Sequence, residues 1–146
     1  MRGLLAEILS SEVDVTVVDM EAGLEHLSRS GGTLRYVDQL LVVLEPYAKA
    51  VETARRTLLL AQELGIPRIS VLASKVRDKD EMAVVDRFCA ETGAELIAVI
   101  PYDDAVRLAD REGAAPIDVS PGAPMVLAVG ALADRLEELR STAVPA

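Results

Sequence analysis

The sequence predicts an α/β fold of three layers, in which helices cover both faces of a mainly parallel sheet of about four strands. Short runs of aliphatic and β-branched residues alternate with longer segments in which apolar residues recur at helical spacing. Aromatic residues make up only 3% of the chain, so Val, Leu, Ile and Ala must build the core. A helix that crosses over between successive strands makes those strands parallel, and such crossovers are right-handed. No repeat or linker divides the 146 residues, so we expect residues 1–146 to form a single domain.

The first elements of the chain surround an apolar run that ends at a carboxylate. Residues 2–9 are typical of the end of a helix, with leucine and isoleucine spaced along one face. The β-branched residues 13–18 predict a strand buried on both faces, and Asp19 follows at its carboxyl end. The polar, glycine-rich residues 24–33 predict a loop or a short broken helix. Residues 38–44, with the sequence DQLLVVL, predict a second strand.

Helices and strands then alternate to the end of the chain, with Gly65 and Gly93 placed where glycine commonly ends a helix. The predicted order is helix 47–64, strand 68–73, helix 80–92, strand 95–100, helix 105–111, a surface connection over 113–124 and helix 126–139. The residues expected to face the core are Met82, Val85 and Cys89 in the second of these helices and Val126, Val129, Ala133 and Leu136 in the last.

The composition excludes several classes of function. The formal net charge of −9 argues against a broad basic surface for nucleic acid. The apolar runs are shorter than the roughly 18–20 residues that span a bilayer, and no secretory signal pattern is present, so we expect a cytoplasmic protein without a membrane partner. Cys89 is the only cysteine, which rules out an internal disulfide and a CxxC site. We expect Cys89 to be a core thiol, and the single histidine, His26, to lie in an exposed loop.

Polar residues follow three of the predicted strands, at the point where each strand ends. They are Asp19, Glu21 and Gly23 after the first strand, Ser74 and Lys75 after the third, and Pro101 and Asp103 after the fourth. Because parallel strands end at the same edge, we expect these residues to line one crevice, where open α/β sheets bind ligands. An Asp-x-x-x-Gly pattern suits phosphate chemistry, since the carboxylate can reach hydrated Mg²⁺ and the glycine N–H can approach a phosphate. The alternative is structural: Asp19 ends a turn, Lys75 is solvated, and Asp103 caps a helix.

Several segments resemble the later part of the MinD/ParA-like P-loop ATPases, and in particular their carbon monoxide dehydrogenase accessory branch, the nickel-insertion ATPases. The resemblance is carried by VVDMEAGLEHLSR at 17–29, VDQLLVVLEPYAKAVETARR at 37–56, ELGIPRISVLASKVRD at 63–78 and AVIPYD at 98–103. It covers nearly the whole chain but only the later part of the family's usual domain. It implies an incomplete P-loop NTPase-like fold, ATP or ADP with Mg²⁺ as cofactors, and a cytosolic homo-oligomer that dimerises around nucleotide and serves a metalloenzyme client.

The resemblance also implies a role for each residue at the strand ends. Asp19 corresponds to the Walker B-type aspartate, which holds Mg²⁺ through water near the attacking water molecule. Gly23 corresponds to the switch II glycine that senses the γ-phosphate, and Glu21 lies in the same switch. The residues that correspond to the surroundings of the nucleotide base are Ser74, Lys75, Pro101 and Asp103. Family members commonly have Asn at the position of Ser74, and a hydroxyl lacks the paired hydrogen bonds of an amide, so the base preference stays open.

The family's Walker A loop, G-x-x-x-x-G-K-[ST], does not occur in this sequence, and residues 31–33, GGT, lack its lysine. That loop, and the Cys-x-Cys metal-binding pair of the nickel branch, would precede Met1. Without backbone N–H groups around the phosphates, we expect poor ATP affinity and no appreciable hydrolysis by this chain alone. Loss of the Walker A strand is also expected to leave a gap beside residues 38–44 or a new pairing of residues 13–18. Exposed edges of that kind favour self-association.

Other functions are weighed against this one. The chain is alternatively a non-catalytic interaction module that keeps the scaffold and the partner surface of an ATPase. A phospho-receiver domain is disfavoured, because the acidic pair that it needs after its first strand is absent. A membrane-positioning role is disfavoured too, because residues 134–140, DRLEELR, are not net basic.

Overall fold

The computed structural model describes residues 15–20 and 37–143. Its sheet has three parallel strands in the order β1-β2-β3, formed by Leu40–Leu44, Ile69–Val76 and Glu95–Pro101. The helices are α1 (Ala48–Glu63), α2 (Lys79–Thr92), α3 (Asp104–Glu112), α4 (Pro116–Val119) and α5 (Pro124–Ala143). Strands and helices alternate as predicted, and the α/β fold is confirmed. The short helix α4 lies within the predicted surface connection.

Helices α1 and α2 pack on one face of the sheet, where they enclose the main core. Its buried members are Val42, Leu44, Ala54, Leu58, Val71, Ala73, Val76, Val85 and Phe88. Helix α5 contacts β3, whose Ile97 and Ile100 are buried outside this cluster. Because adjacent residues of a strand point to opposite faces, α5 covers the second face of the sheet at β3. Helices therefore lie on both faces of the sheet, as the sequence predicts.

Helices α2 and α3 start and stop at residues whose chemistry explains the boundaries. The carboxylate of Asp78 accepts a hydrogen bond of 2.8 Å from the N–H of Glu81, which caps the first turn of α2. Gly93 follows the last residue of α2 with φ 69°. Gly113 follows α3 in the same way, with φ 63°. A left-handed residue in this position satisfies the last carbonyl groups of a helix, and glycine adopts it without steric cost.

Strand β2 is longer than the sequence predicts. The predicted strand ends at residue 73, but β2 continues to Val76, which is buried and pairs with Pro101. Ser74 and Lys75 therefore lie in the strand rather than in its exit loop. The register shifts between Ser74 and Val76, and Lys75 between them has a φ of 59°. Such a bulge lets pairing resume beyond an irregular residue, and nothing in the sequence announces it.

The predicted strand over residues 13–18 is wrong where the structure can test it. Residues 15–20 have no regular secondary structure, and Val17 is 87% exposed. The reason is that an apolar run becomes a strand only when its N–H and C=O groups find a ladder, and these residues pair with none of the three described strands. The predictions for residues 2–9 and 24–33, and for His26, lie outside the described residues.

The inward faces of α2 and α5 differ in detail from the predicted ones. In α2, Val85 and Phe88 are buried, and Cys89 packs against the core while remaining partly exposed. Burial raises the pKa of the Cys89 thiol, which agrees with the expected core role. In α5 the buried residue is Leu132, whereas Val129 is exposed. Of the four predicted residues, Val126 and Leu136 are partly buried and Val129 and Ala133 are exposed, because nearly every residue of PMVLAVGALA is apolar and the period is ambiguous.

Within the parts of the chain that the structure describes, no helix combines the length and the apolar character needed to cross a bilayer.

Candidate functional site

The carboxyl edge of the sheet brings together the ends of all three strands. Lys75 in the β2 bulge reaches Glu45, the residue after β1, and their Nζ and Oε1 atoms are 2.9 Å apart. Lysine rarely adopts a positive φ, so the bulge sets the direction of this side chain at some conformational cost. Both partners are at least partly exposed, which limits the ion pair to about 0–1 kcal/mol. Lys75 thus has a partner in Glu45, but its side chain is 59% exposed, so the structure agrees with the solvated lysine of the structural alternative.

A second cluster at the same edge joins the loops after β2 and β3. The guanidinium carbon of Arg77 lies 4.2 Å from the centroid of the Tyr102 ring, in a cation–π contact. Glu81 accepts a 2.6 Å hydrogen bond from the backbone N–H of Arg77 and one of 3.2 Å from its Nη1. The bonds to Glu81 raise the pKa of the Arg77 guanidinium, which stays charged at any physiological pH. Sequence inspection missed this cluster because its members come from separate loops and match no motif.

Both carboxylate oxygens of Asp103 accept hydrogen bonds from the starts of helices. Its Oδ1 accepts a 2.9 Å hydrogen bond from the N–H of Ala105 in the first turn of α3. Its Oδ2 accepts one of 3.2 Å from the N–H of Met125 in the first turn of α5. The capping role that the sequence offered as the structural alternative is therefore observed, and it extends to a second helix. Pro101 ends β3 and is partly buried beside Val76.

The structure does not bring Asp19 to this edge. Its neighbour Met20 packs against the cluster of Ala61 and Ile66, which also contacts Leu40 at the start of β1. Because α1 runs antiparallel to the strands, these residues lie at the amino ends of the strands. Asp19 is exposed there, whereas the sequence predicts it at the carboxyl edge. Glu21 and Gly23 lie outside the described residues, so their predicted roles remain predictions.

Metal binding can be judged only for the described residues. Among residues 15–20 and 37–143, no three His, Cys, Asp or Glu side chains are grouped so that they could hold a metal ion. The described carboxylates nearest the edge already serve other partners, since Glu45 binds Lys75 and Asp103 caps two helices. The predicted Mg²⁺ contact of Asp19 therefore stays a prediction.

A shallow groove of about 270 Å³ lies between the start of α1 and α2, and its lining includes the core residue Phe88. Arg55 crosses it to Glu91, with 2.6 Å between Nη2 and Oε2, and its guanidinium carbon lies 5.5 Å from the centroid of the Phe88 ring. This ion pair crosses the groove and joins the two helices, and we assign it a structural role.

Comparison with known proteins places this geometry in context. No family model matches the chain. The chain is 39% identical over 106 residues to an uncharacterized ATP-binding protein of Methanocaldococcus jannaschii, covering 73% of this chain and 40% of that protein. It is 35% identical over 125 residues to the carbon monoxide dehydrogenase accessory protein CooC of Rhodospirillum rubrum, covering 83% of this chain and 44% of CooC. The chain therefore spans less than half the length of these relatives.

Solved structures share the fold. The cell division ATPase MinD of Pyrococcus furiosus matches with a TM-score of 0.74 at 24% identity, over 94% of this chain and 58% of that one. MinD of Pyrococcus horikoshii, solved in complex with Mg-ADP, matches with a TM-score of 0.75 at 18% identity, over 99% of this chain and 60% of that one. The sequence identities to these two structures, 24% and 18%, show a shared fold alone. The evidence for homology comes from the two sequence relatives above. The homologues of this chain are MinD/ParA-type ATP-binding proteins, and the chain corresponds to part of their domain.

Proposed function

We propose that this chain is part of a MinD/ParA-type ATPase that assists metallocentre assembly, in the manner of a carbon monoxide dehydrogenase accessory protein. The observation that carries this proposal is the 35% identity to CooC over 83% of the chain. Because the chain covers only 44% of CooC, the activity belongs to a domain that this chain completes rather than to the chain alone. A cytoplasmic location, a homo-oligomer and a metalloenzyme client are part of the same proposal.

The geometry of the carboxyl edge supports a role at the base of ATP or ADP. Ser74 and Pro101 pair with neighbouring residues of the β2–β3 ladder close to the edge, and Arg77 stacks on Tyr102 beside them. A planar guanidinium on an aromatic ring offers flat surfaces of the kind on which bases stack. In this proposal Lys75 contributes positive charge at the edge. Asp103 acts on the base indirectly, because its carboxylate fixes the loop that carries Tyr102.

Asp19, Glu21 and Gly23 form the phosphate side of the proposed site. In the complete domain, Asp19 would hold Mg²⁺ through water, and Gly23 would place its N–H near the γ-phosphate, with Glu21 in the same switch segment. The bound metal would neutralise the charge that develops on the phosphate. This role requires Asp19 to lie at the carboxyl edge, whereas the neighbouring Met20 packs near the amino end of β1. The chain alone is therefore expected to be inactive.

A second function is favoured by a specific observation. Lys75 and Asp103, two residues of the proposed site, already have partners within the chain, and Asp19 lies at the other edge. This arrangement is what a non-catalytic interaction module would keep if it retained only the scaffold. If the chain is part of an ATPase, adding a phosphate-binding segment should restore nucleotide binding. If it is an interaction module, that addition should have no effect.

The test is a calorimetric titration of Mg-ATP and Mg-ADP against the chain, alone and mixed with a polypeptide that supplies a Walker A strand and loop. We expect no binding or turnover by the chain alone, and both in the mixture. Asp19→Ala is expected to abolish turnover in the mixture, whereas Asp134→Ala, an exposed aspartate on α5, should leave it unchanged. Turnover by the chain alone that Asp19→Ala removes would overturn the expected inactivity. A mixture that binds no nucleotide would instead favour the interaction module.

A further inference from the structure

Arg77 is held by one carboxylate at both its backbone and its tip. Glu81 accepts a 2.6 Å hydrogen bond from the backbone N–H of Arg77 through Oε2, and one of 3.2 Å from its Nη1 through Oε1. Glu81 is itself held in the first turn of α2, where its N–H donates to the Asp78 carboxylate at 2.8 Å. Because the two bonds to Glu81 close a ring along the whole Arg77 side chain, the guanidinium turns away only by breaking a charge-assisted bond.

The Tyr102 ring that this guanidinium contacts is fixed as well. The backbone N–H of Tyr102 donates to the carbonyl of Val76 at 2.9 Å, which ties the residue to the end of β2. Its hydroxyl donates to Oδ1 of Asp104 at 3.3 Å. With 4.2 Å between the guanidinium carbon and the ring centroid, the guanidinium lies against the ring face. Arg77 and Tyr102 therefore form a platform whose two layers are in place without a ligand.

A second arginine on an aromatic ring shows what Glu81 adds. The guanidinium carbon of Arg55 lies 5.5 Å from the centroid of the Phe88 ring, and Glu91 binds its Nη2 at 2.6 Å. Glu91 lies on another helix and binds the tip of Arg55, whereas Glu81 binds both the backbone and the tip of Arg77. The first arrangement joins two helices. The second fixes one flat group on another at the carboxyl edge of the sheet.

We propose that Glu81 is a positioning residue for the nucleotide base, because it fixes Arg77 on Tyr102 before a ligand arrives. This inference rests on the proposed function, in which the carboxyl edge receives the base of ATP or ADP. Ordering a long side chain during binding weakens affinity, since its lost rotamer freedom opposes binding. Glu81 moves that loss from the binding step to folding. The Arg77 side chain is 56% exposed, so its contact with the ring leaves part of it open for a stacked base.

The preformed platform is tested by NMR on the full chain without nucleotide. An aromatic ring shifts the signals of groups held over its face, so the Arg77 side-chain signals should lie upfield of ordinary arginine values. Glu81→Gln keeps the size of the side chain but removes its charge, and it should move those signals back towards the ordinary values. Glu91→Gln is the matched control, because Glu91 lies at the other end of α2, about 15 Å away along the helix. Arg77 signals that Glu81→Gln leaves unchanged would overturn the proposal.

The effect on binding is measured by calorimetry on the chain mixed with a polypeptide that supplies a Walker A strand and loop. The probes are ADP and inorganic pyrophosphate with Mg²⁺, and only ADP carries a base. Glu81→Gln is expected to weaken ADP binding about three- to tenfold and to leave pyrophosphate binding unchanged. Arg77→Lys keeps the charge but loses the flat guanidinium, so it should also weaken ADP alone. The double variant should bind ADP no more weakly than Arg77→Lys, because Glu81 acts through Arg77.

The outcomes separate this inference from the proposed function. If the unsubstituted mixture binds neither ADP nor pyrophosphate, the proposed function is wrong and the positioning role falls with it. If that mixture binds ADP but Glu81→Gln weakens ADP and pyrophosphate equally, Glu81 has a structural role only and this inference alone is wrong. The same conclusion follows if Glu91→Gln weakens ADP binding as much as Glu81→Gln does. Circular dichroism verifies that each variant keeps its fold.

Discussion

The two outer strands of the described sheet, β1 and β3, are both apolar, but they differ in what covers them. At β3, helix α5 covers the second face, and Arg135 of α5 bonds Glu95 with 3.1 Å between Nη2 and Oε1. At β1, Val43 is exposed on that face and the strand edge has no neighbour in the described sheet. The difference is not one of strand propensity. Among the described residues, it depends on whether another element of the chain lies against the strand.

The largest expected effect contrasts one residue from each side. Leu132 of α5 is only 8% exposed, so Leu132→Ala should lower the free energy of unfolding by about 2–4 kcal/mol through lost packing and a residual cavity. Val43→Ala should change it by no more than about 0.5 kcal/mol, because the side chain faces solvent. Urea unfolding followed by circular dichroism, at one fixed protein concentration, measures both values. Equal losses would show that the β1 side is as well covered as the β3 side.

A smaller loss of unfolding free energy is expected from replacing Asp103, which links the starts of α3 and α5 next to β3. Asp103→Ala removes the acceptor for two helix N–H groups, so it should cost about 1–2 kcal/mol of unfolding free energy. Hydrogen exchange at the amide of Met125 should accelerate at the same time. Asp104→Ala, at the next position and exposed, is the matched control and should cost less. Unchanged exchange at Met125 would show that Asp103 does not hold α5.

An effect of similar size concerns the bulge in β2, the strand between the two sides. Since Lys75 has a φ of 59°, Lys75→Val should be less stable than Lys75→Gly by about 1–2 kcal/mol. The same pair of substitutions at Ser74 serves as the control. Ser74 has an ordinary backbone conformation, so valine is expected to be at least as stable as glycine there. Thermal unfolding of the four variants measures both differences, and the same order at both positions would contradict a strained bulge.

Much of the fold could be predicted from hydrophobic periodicity and helix-ending glycines. Helices α1 and α2 and strands β1 and β3 lie close to their predicted bounds, because each has a clear period and a clear boundary residue. The strand predicted over residues 13–18 is wrong because hydrophobic periodicity indicates a preference for burial. It does not show whether a neighbouring strand is present to pair with.

The candidate site was predictable only where topology alone decides it. Parallel strands must end at one edge, which is why Lys75 and Asp103 lie at the same edge. The bulge at Lys75 depends on how two strands keep register, and the stacking of Arg77 on Tyr102 depends on how two loops face each other. Neither has a local sequence signal. The position of Asp19 depends on which element the preceding apolar run packs against.

The double cap by Asp103 has a mechanical consequence. One carboxylate accepts hydrogen bonds from the N–H groups of Ala105 and Met125, so it links the loop after β3 to the start of the long terminal helix, 22 residues further along the sequence. A displacement of that loop by about an ångström would break the bond to Met125, since hydrogen bonds weaken steeply beyond their normal length. A movement of that loop would therefore also change the hydrogen bonding at the start of α5.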